Sequence, residues 1–302
     1  MSEASQAAPP PKSPIHTARL YVLAAALMWS TAGLFAKAPL FDVWPEEVRG
    51  TLLSFWRALF AGVLLLPSVR RPRWRPQLAP LGFSFIGMNV TYLSAMSLTT
   101  AANAIWLQYT SPFWVFVLGA IFWRTPLARR DRRPLLLAAI GVALILYFEL
   151  GGKAHVPEGD SSNRMGIACG LAAGVFYAGV VMGMHALKEE NAVWLVAFCH
   201  LVTALALSPL VLYVGMRPTI NQLLVLAIFG LFQMGLPYLL LVRGLQSVTP
   251  QEASLIALCE PVLVPLWVWL AWSYLPDWWT IVGGACILAG LLLRYRRPTR
   301  VS

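Results

Sequence analysis

From Ala101 to Trp123 the chain reads AANAIWLQYTSPFWVFVLGAIFW without one charged residue, and this stretch limits what the molecule can be. As a helix rising about 1.5 Å per residue, it crosses a hydrocarbon core of roughly 30 Å. Pro112 sits in its middle, where it removes a backbone donor and disturbs the preceding turn. A second stretch, Ala253–Trp272, reads ASLIALCEPVLVPLWVWLAW and carries Pro261 at its centre, preceded by Glu260. The two prolines lie 149 residues apart. The same offset, without a gap, aligns Phe83 with Phe232, Thr100 with Thr249, Ala104 with Ala253, Trp123 with Trp272 and Gly141 with Gly290. We read this register as an internal duplication.

Composition agrees. The chain is 58% hydrophobic and 12% charged over 302 residues, with a mean hydropathy of +0.66, which is too apolar for an ordinary soluble domain. Ten apolar spans follow in order: Ala18–Ala36, Gly50–Val69, Leu78–Ser97, Ala101–Trp123 and Pro134–Phe148, then Met165–Ala186, Val193–Val214, Leu223–Leu245, Ala253–Trp272 and Trp278–Leu293. The predicted fold is an all-α integral membrane protein with ten transmembrane helices in two inverted five-helix repeats. An odd number of helices per repeat forces the halves into opposite orientations. The divisions are a polar arm at 1–17, a first repeat at 18–150, an external loop at 151–163, a second repeat at 164–295 and a basic tail at 296–302. The arm lacks the apolar core and cleavage site of a secretory signal, so the first helix is expected to be retained.

The net charge of +10 does not point to nucleic acid, because its placement follows a membrane topology. Most of the 23 basic residues fall in alternate segments, notably Arg70–Arg75, Arg124–Arg133 and Arg294–Arg300, which predicts both termini inside. Trp44, Trp74, Trp194, Trp278 and Trp279 fall near span ends and read as an interfacial belt. The four cysteines lie within apolar runs without CxxC spacing and read as packing residues.

Polar groups inside a membrane span are costly and usually face a bundle interior or a cavity. Arg57 lies about 10 Å into the second span, where it can attract an anionic substrate group, pair with Glu260, or snorkel outward. Glu260 can bind an amine, carry a proton, or bond backbone groups freed by the proline break. Asn89, Gln108 and Gln233, with Tyr92, Trp106, Tyr109 and Tyr238, suit the lining of a substrate cavity, amides fixing polar groups and aromatics burying the apolar part. The same amides also suit helix-to-helix bonds. Asn103 and Ser111 belong with them, and His200 and His185 read mainly as packing histidines. Pro112 and Pro261 are the expected helix breaks.

Proline-centred fourth and ninth spans in two five-helix halves resemble the drug/metabolite transporter superfamily, in its EamA-type ten-helix branch. The segment LCEPVLVPLWVWL, Leu258–Leu270, is similar to that family's ninth-helix pattern, and IVGGACILAGLLL, Ile281–Leu293, to its glycine-rich tenth. Met28-Trp29-Ser30 and Phe55-Trp56-Arg57 resemble its first and second helices, which adds Trp29 to the candidate substrate-binding residues. The family often places an acid just after the fourth and ninth helices, where this chain has Thr125 and Tyr274. The resemblance implies a secondary transporter exporting a small metabolite, such as an amino acid, by alternating access, without a cofactor. Its setting would be a bacterial inner (plasma) membrane. An organic-phosphate or nucleotide-sugar exchanger is the alternative. The partners are then the lipid bilayer and a small-molecule substrate, and proton coupling and a homodimer are both compatible with the reading. A receptor or an intramembrane enzyme is the rival class. No HExxH, Walker A or GxSxG motif supports an enzyme.

Overall fold

A computed structural model describes residues 14–69, 72–123, 131–151 and 160–295. The polar arm, most of the basic 124–133 segment including Thr125, the centre of the 151–163 loop and the basic tail lie outside the described residues. The first span is two helices, α1 (Ile15–Trp29) and α2 (Ala32–Ala36). The next two are continuous, α3 (Glu46–Leu65) and α4 (Leu78–Leu98). The fourth divides into α5 (Ala101–Gln108) and α6 (Ser111–Trp123), and the fifth is α7 (Arg132–Leu150). The second half has α8 (Asp160–Ala186), α9 (Ala192–Val214), then α10 (Ile220–Gly230) and α11 (Leu236–Gly244) joined by a π-turn at Leu231–Gly235. Its ninth span divides into α12 (Pro250–Ala257) and α13 (Glu260–Trp272), and α14 (Trp278–Tyr295) closes the bundle. Among the described residues nine spans are long and apolar enough to cross a membrane, and the shorter apolar Trp278–Arg294 makes ten.

Packing follows the duplication. The third span lies against the sixth, and five positions on, the eighth lies against the first. The second packs on the eighth, as the seventh packs on the third. The second with the seventh, and the fifth with the tenth, map onto themselves and so straddle the pseudo-two-fold axis. The 149-residue register holds in the broken helices: α5 and α12 each have eight residues, α6 and α13 thirteen. Thr100 caps α5 by accepting from the Asn103 amide, and Thr249 caps α12 by accepting from the Glu252 amide. Between the fifth and tenth spans, a Cβ on Gly141 would sit 2.3 Å from the Gly283 carbonyl oxygen, and one on Gly290 would sit 2.6 Å from that of Pro134. These two contacts exchange under the same offset. Only a missing side chain lets the backbones approach so closely, the small-residue packing that membrane helices use.

The halves also differ, and the differences were not legible in the sequence. The first span bends at Ser30 and Thr31 without a proline, whereas its counterpart α8 is unbroken. Ser30 Oγ donates to the Leu27 carbonyl at 2.7 Å and Thr31 Oγ1 to that of Met28 at 2.6 Å. Hydroxyls that bond back into the helix in this way bend it. The π-turn of the eighth span likewise has no counterpart in α4. The aromatic belt needs correction: Trp74 and Trp278 are exposed, but Trp44, Trp194 and Trp279 are buried in the protein. Burial suits these indoles where the N–H finds an acceptor. Trp194 donates to the Arg73 carbonyl and Trp279 to Glu149, both at 3.0 Å.

Candidate functional site

Arg57, at the middle of α3, has no exposed surface. The register of α3 aims it between the third and eighth spans. Its Nη2 donates to Asn89 Oδ1 and its Nη1 to Gln233 Oε1 at 3.2 Å. The guanidinium carbon lies 5.1 Å from the centre of the Phe229 ring, close enough for a cation–π contribution. Both amides are oriented from behind. Asn89 Nδ2 donates to the Phe85 carbonyl at 3.1 Å, and Gln233 Nε2 to the Trp29 carbonyl at 3.2 Å. Gln233 lies in the π-turn and Trp29 is the last residue of α1, so the two unexpected interruptions meet beside the arginine. π-turns are frequent at functional sites. The bend is held further by Trp267, whose indole N–H donates to Ser30 Oγ at 2.8 Å.

Glu260 is the first residue of α13, where the ninth span restarts, and it is partly exposed. Its carboxylate accepts from the Tyr109 hydroxyl at 2.9 Å, and the same hydroxyl lies 3.3 Å from the Ala257 carbonyl oxygen. Tyr109 caps α5, so this contact joins the interruption of the fourth span to that of the ninth. Pro112 and Pro261 are the second residues of α6 and α13, where a missing N–H costs nothing because the first turn has no acceptor for it.

Of the options open to Arg57, the ion pair with Glu260 is not formed. Ion pairs among the described residues include Arg19–Glu252, Arg49–Asp42 and Arg75–Glu190. Tyr92 stands one turn beyond Asn89 on α4 and is buried. Trp29 packs edge-on to Tyr238 at 5.2 Å, and His200 lies 6.1 Å from the same ring. Among the described residues the Nε of Arg57, the Tyr92 hydroxyl and both His200 nitrogens are buried without a hydrogen-bond partner. Arg57, Asn89, Gln233, Trp29 and Tyr238 therefore form one contact-linked cluster, and Tyr109 with Glu260 forms a pair at the breaks of the fourth and ninth spans. Trp106 joins neither. Its indole packs over Gly284 of α14 and lines an apolar groove of about 280 Å³ with Val262, Leu266 and Trp269. Gln108 is buried at the end of α5. A separate cavity of about 290 Å³ lies near the starts of α3 and α5, lined by Lys37, Arg49, Thr100 and Tyr274 among others.

An all-helical bundle of ten apolar spans, with broken helices and charged side chains at its centre, defines a multi-pass membrane protein of the kind that carries solutes. Residues 16–147 and again 164–296 match the EamA-like transporter family, and the chain belongs to that family. It is similar to a transporter of Archaeoglobus fulgidus, 28% identical over 84% of this chain and 91% of that protein. It is 28% identical to the inner membrane transporter YicL of Salmonella typhimurium, over 91% and 93% of the two chains. The pseudopaline exporter CntI of Pseudomonas aeruginosa is 26% identical over 80% of this chain and 81% of its own. A crystal structure with 18% identity superposes with a TM-score of 0.65 over 94% of this chain and 98% of that one.

Proposed function

We propose that this transporter exports a small zwitterionic metabolite, an amino acid or a close analogue, by alternating access around Arg57 and Glu260. The observation that carries the reading is that the buried Arg57 and the partly exposed Glu260, both within the bundle, form no ion pair with each other. Each is bonded to neutral side chains, Arg57 to Asn89 and Gln233, and Glu260 to the Tyr109 hydroxyl. A buried charge without a counter-charge in contact is costly, and an amino acid supplies both missing partners. Its carboxylate meets the guanidinium, whose Nε has no acceptor among the described residues. Its ammonium meets Glu260, and its side chain packs against Trp29, Tyr92 and Tyr238. Asn89 and Gln233 hold the guanidinium in place for that encounter.

Export is supported by the relative named as an exporter, and an inner membrane by another relative's name. The charge bias of the loops supports cytoplasmic termini. With that orientation Lys37, Arg49, Thr99 and Tyr274 lie at the outer end of the bundle. Glu260 is the residue through which proton coupling would act, since its charge is set by the bound proton. Proteoliposomes loaded with a panel of labelled amino acids test the reading. Wild-type protein should release at least one of them, and both Arg57→Met and Glu260→Gln should abolish release while still folding. Release of phosphate esters instead of amino acids would overturn the zwitterion reading.

A further inference from the structure

Glu149 lies one residue beyond the predicted end of the fifth span, yet α7 continues through it and it is only 1% exposed. Both of its carboxylate oxygens are used. Oε1 accepts from the Trp279 indole at 3.0 Å and Oε2 from Asn163 Nδ2 at 2.9 Å. Asn163 Oδ1 in turn accepts from Thr99 Oγ1 at 2.5 Å, and Thr99 Oγ1 accepts from Asn103 Nδ2 at 3.2 Å. Asn103 Oδ1 accepts from Thr280 Oγ1 at 2.8 Å. Trp279 and Thr280 are adjacent in α14, so the chain of bonds closes into a ring. All six residues are buried. The ring joins three residues of the first half (Thr99, Asn103, Glu149) to three of the second half (Asn163, Trp279, Thr280), at the junction of α4 with α5 and the ends of α7, α8 and α14; Asn163, expected in the external loop, lies in α8. The α8 backbone presses on the same junction: a Cβ on Gly166 would lie 2.8 Å from Thr99 Cβ.

Among the described residues the opposite end of the bundle is held by different contacts. The 149-residue offset carries Asn103 to Glu252 and Thr99 to Val248. There Glu252 pairs with Arg19 through largely solvated side chains, over a small apolar cluster of Ala18, Val22, Val248 and Ala253. A buried, satisfied polar network rigidifies what it joins, whereas an exposed ion pair contributes little.

We propose that the ring is the outer closure of the transport pathway and that Glu149 is its positioning residue. The inference rests on the alternating-access reading. Glu149 anchors Asn163 and Trp279, and through Asn163 and Thr99 it holds the start of α5. That helix ends at Tyr109, the partner of Glu260, so the ring sets where Tyr109 stands. The outward-open state forms when the two bonds that reach α5 and its junction, Thr99–Asn163 and Asn103–Thr280, break.

Hydrogen–deuterium exchange of the purified full-length chain, without substrate, tests this. Thr99→Val removes the hydroxyl that bridges Asn163 and Asn103 but leaves both bonds to Glu149 in place, so no carboxylate is stranded. The amides of 101–108 should then exchange about tenfold faster, as the loss of one to two net hydrogen bonds implies. The offset-related segment 250–257 should not change. Thr99→Ser keeps the hydroxyl and should behave as wild type. Glu149→Gln, which can accept only on one oxygen, should fall between. Equal acceleration in both segments, or no change in Thr99→Val, would overturn the proposal. A ring that opens as expected in a chain that moves no amino acid would sink the transport reading alone. A chain that exports amino acids while 101–108 exchange stays fixed in Thr99→Val would sink the ring alone.

Discussion

A double-mutant cycle on Arg57 separates its structural partner from its functional one. In the structure its guanidinium is bonded to Gln233 at 3.2 Å and to Asn89, and no ion pair links it to Glu260. Arg57→Met removes a buried charge, whose desolvation costs several kcal/mol, and that loss is a gain in stability. Against it stand two stranded amide oxygens at about 1–3 kcal/mol each. The terms nearly offset, so the single variant should change stability by no more than about 2 kcal/mol. The coupling with Gln233→Leu should be about 1–1.7 kcal/mol, the upper range measured for side-chain bonds inside membranes. The coupling with Glu260→Gln should stay below about 0.5 kcal/mol, as for residues that share no contact. Reversible unfolding in mixed micelles, titrated with a denaturing detergent, measures all three. Release from proteoliposomes, measured in parallel, should vanish in Arg57→Met although the protein folds. A coupling with Glu260 as large as that with Gln233 would refute the separation of the two charges, and with it the zwitterion site.

Tyr109→Phe removes the hydroxyl that bonds Glu260; stability should fall by about 1 kcal/mol, and transport should fall more steeply than that loss explains, read as release rate against melting temperature. Gly141→Ala places a methyl 2.3 Å from the Gly283 carbonyl oxygen, so the fifth and tenth spans must part, at about 1–3 kcal/mol; an unchanged melting temperature would contradict that contact. Trp267→Phe should lower stability by about 1 kcal/mol by freeing Ser30 Oγ at the bend of the first span, and faster amide exchange at 30–36 than at the offset-related 179–185 would report it. For topology, an impermeant thiol reagent outside intact cells should modify a cysteine at Ser273 but not one at Ser68, and the reverse pattern would invert the orientation.

Much of the architecture was readable from residue order because lipid leaves the chain few choices. Where every backbone group must be satisfied internally, an apolar run of sufficient length is a helix. The pairing of Pro112 with Pro261 at a fixed offset announced the duplication. The same offset later accounted for the caps at Thr100 and Thr249 and for the exchanged contacts of Gly141 and Gly290. Arg57, Asn89, Tyr92, Gln233, Tyr238 and Glu260 stood out because an intramembrane polar group has few other reasons to exist.

What the sequence left open was partnership. Proline marks a helix break in the sequence, but the bend at Ser30 and the π-turn at Gln233 exist only because Trp267, Arg57 and Trp29 are brought there to satisfy the freed groups. Glu149 fell one residue past the predicted fifth span and drew no reading, because its burial depends on Trp279 and Asn163, which close over it from the second half of the chain. The order of residues determined which segments cross the membrane, and that each crosses as a helix, through local hydropathy and hydrogen-bond demand. Which charge faces which partner was decided by the packing of helices far apart in sequence, because a buried ion's energy depends on the groups a few ångströms away and not on its neighbours along the chain.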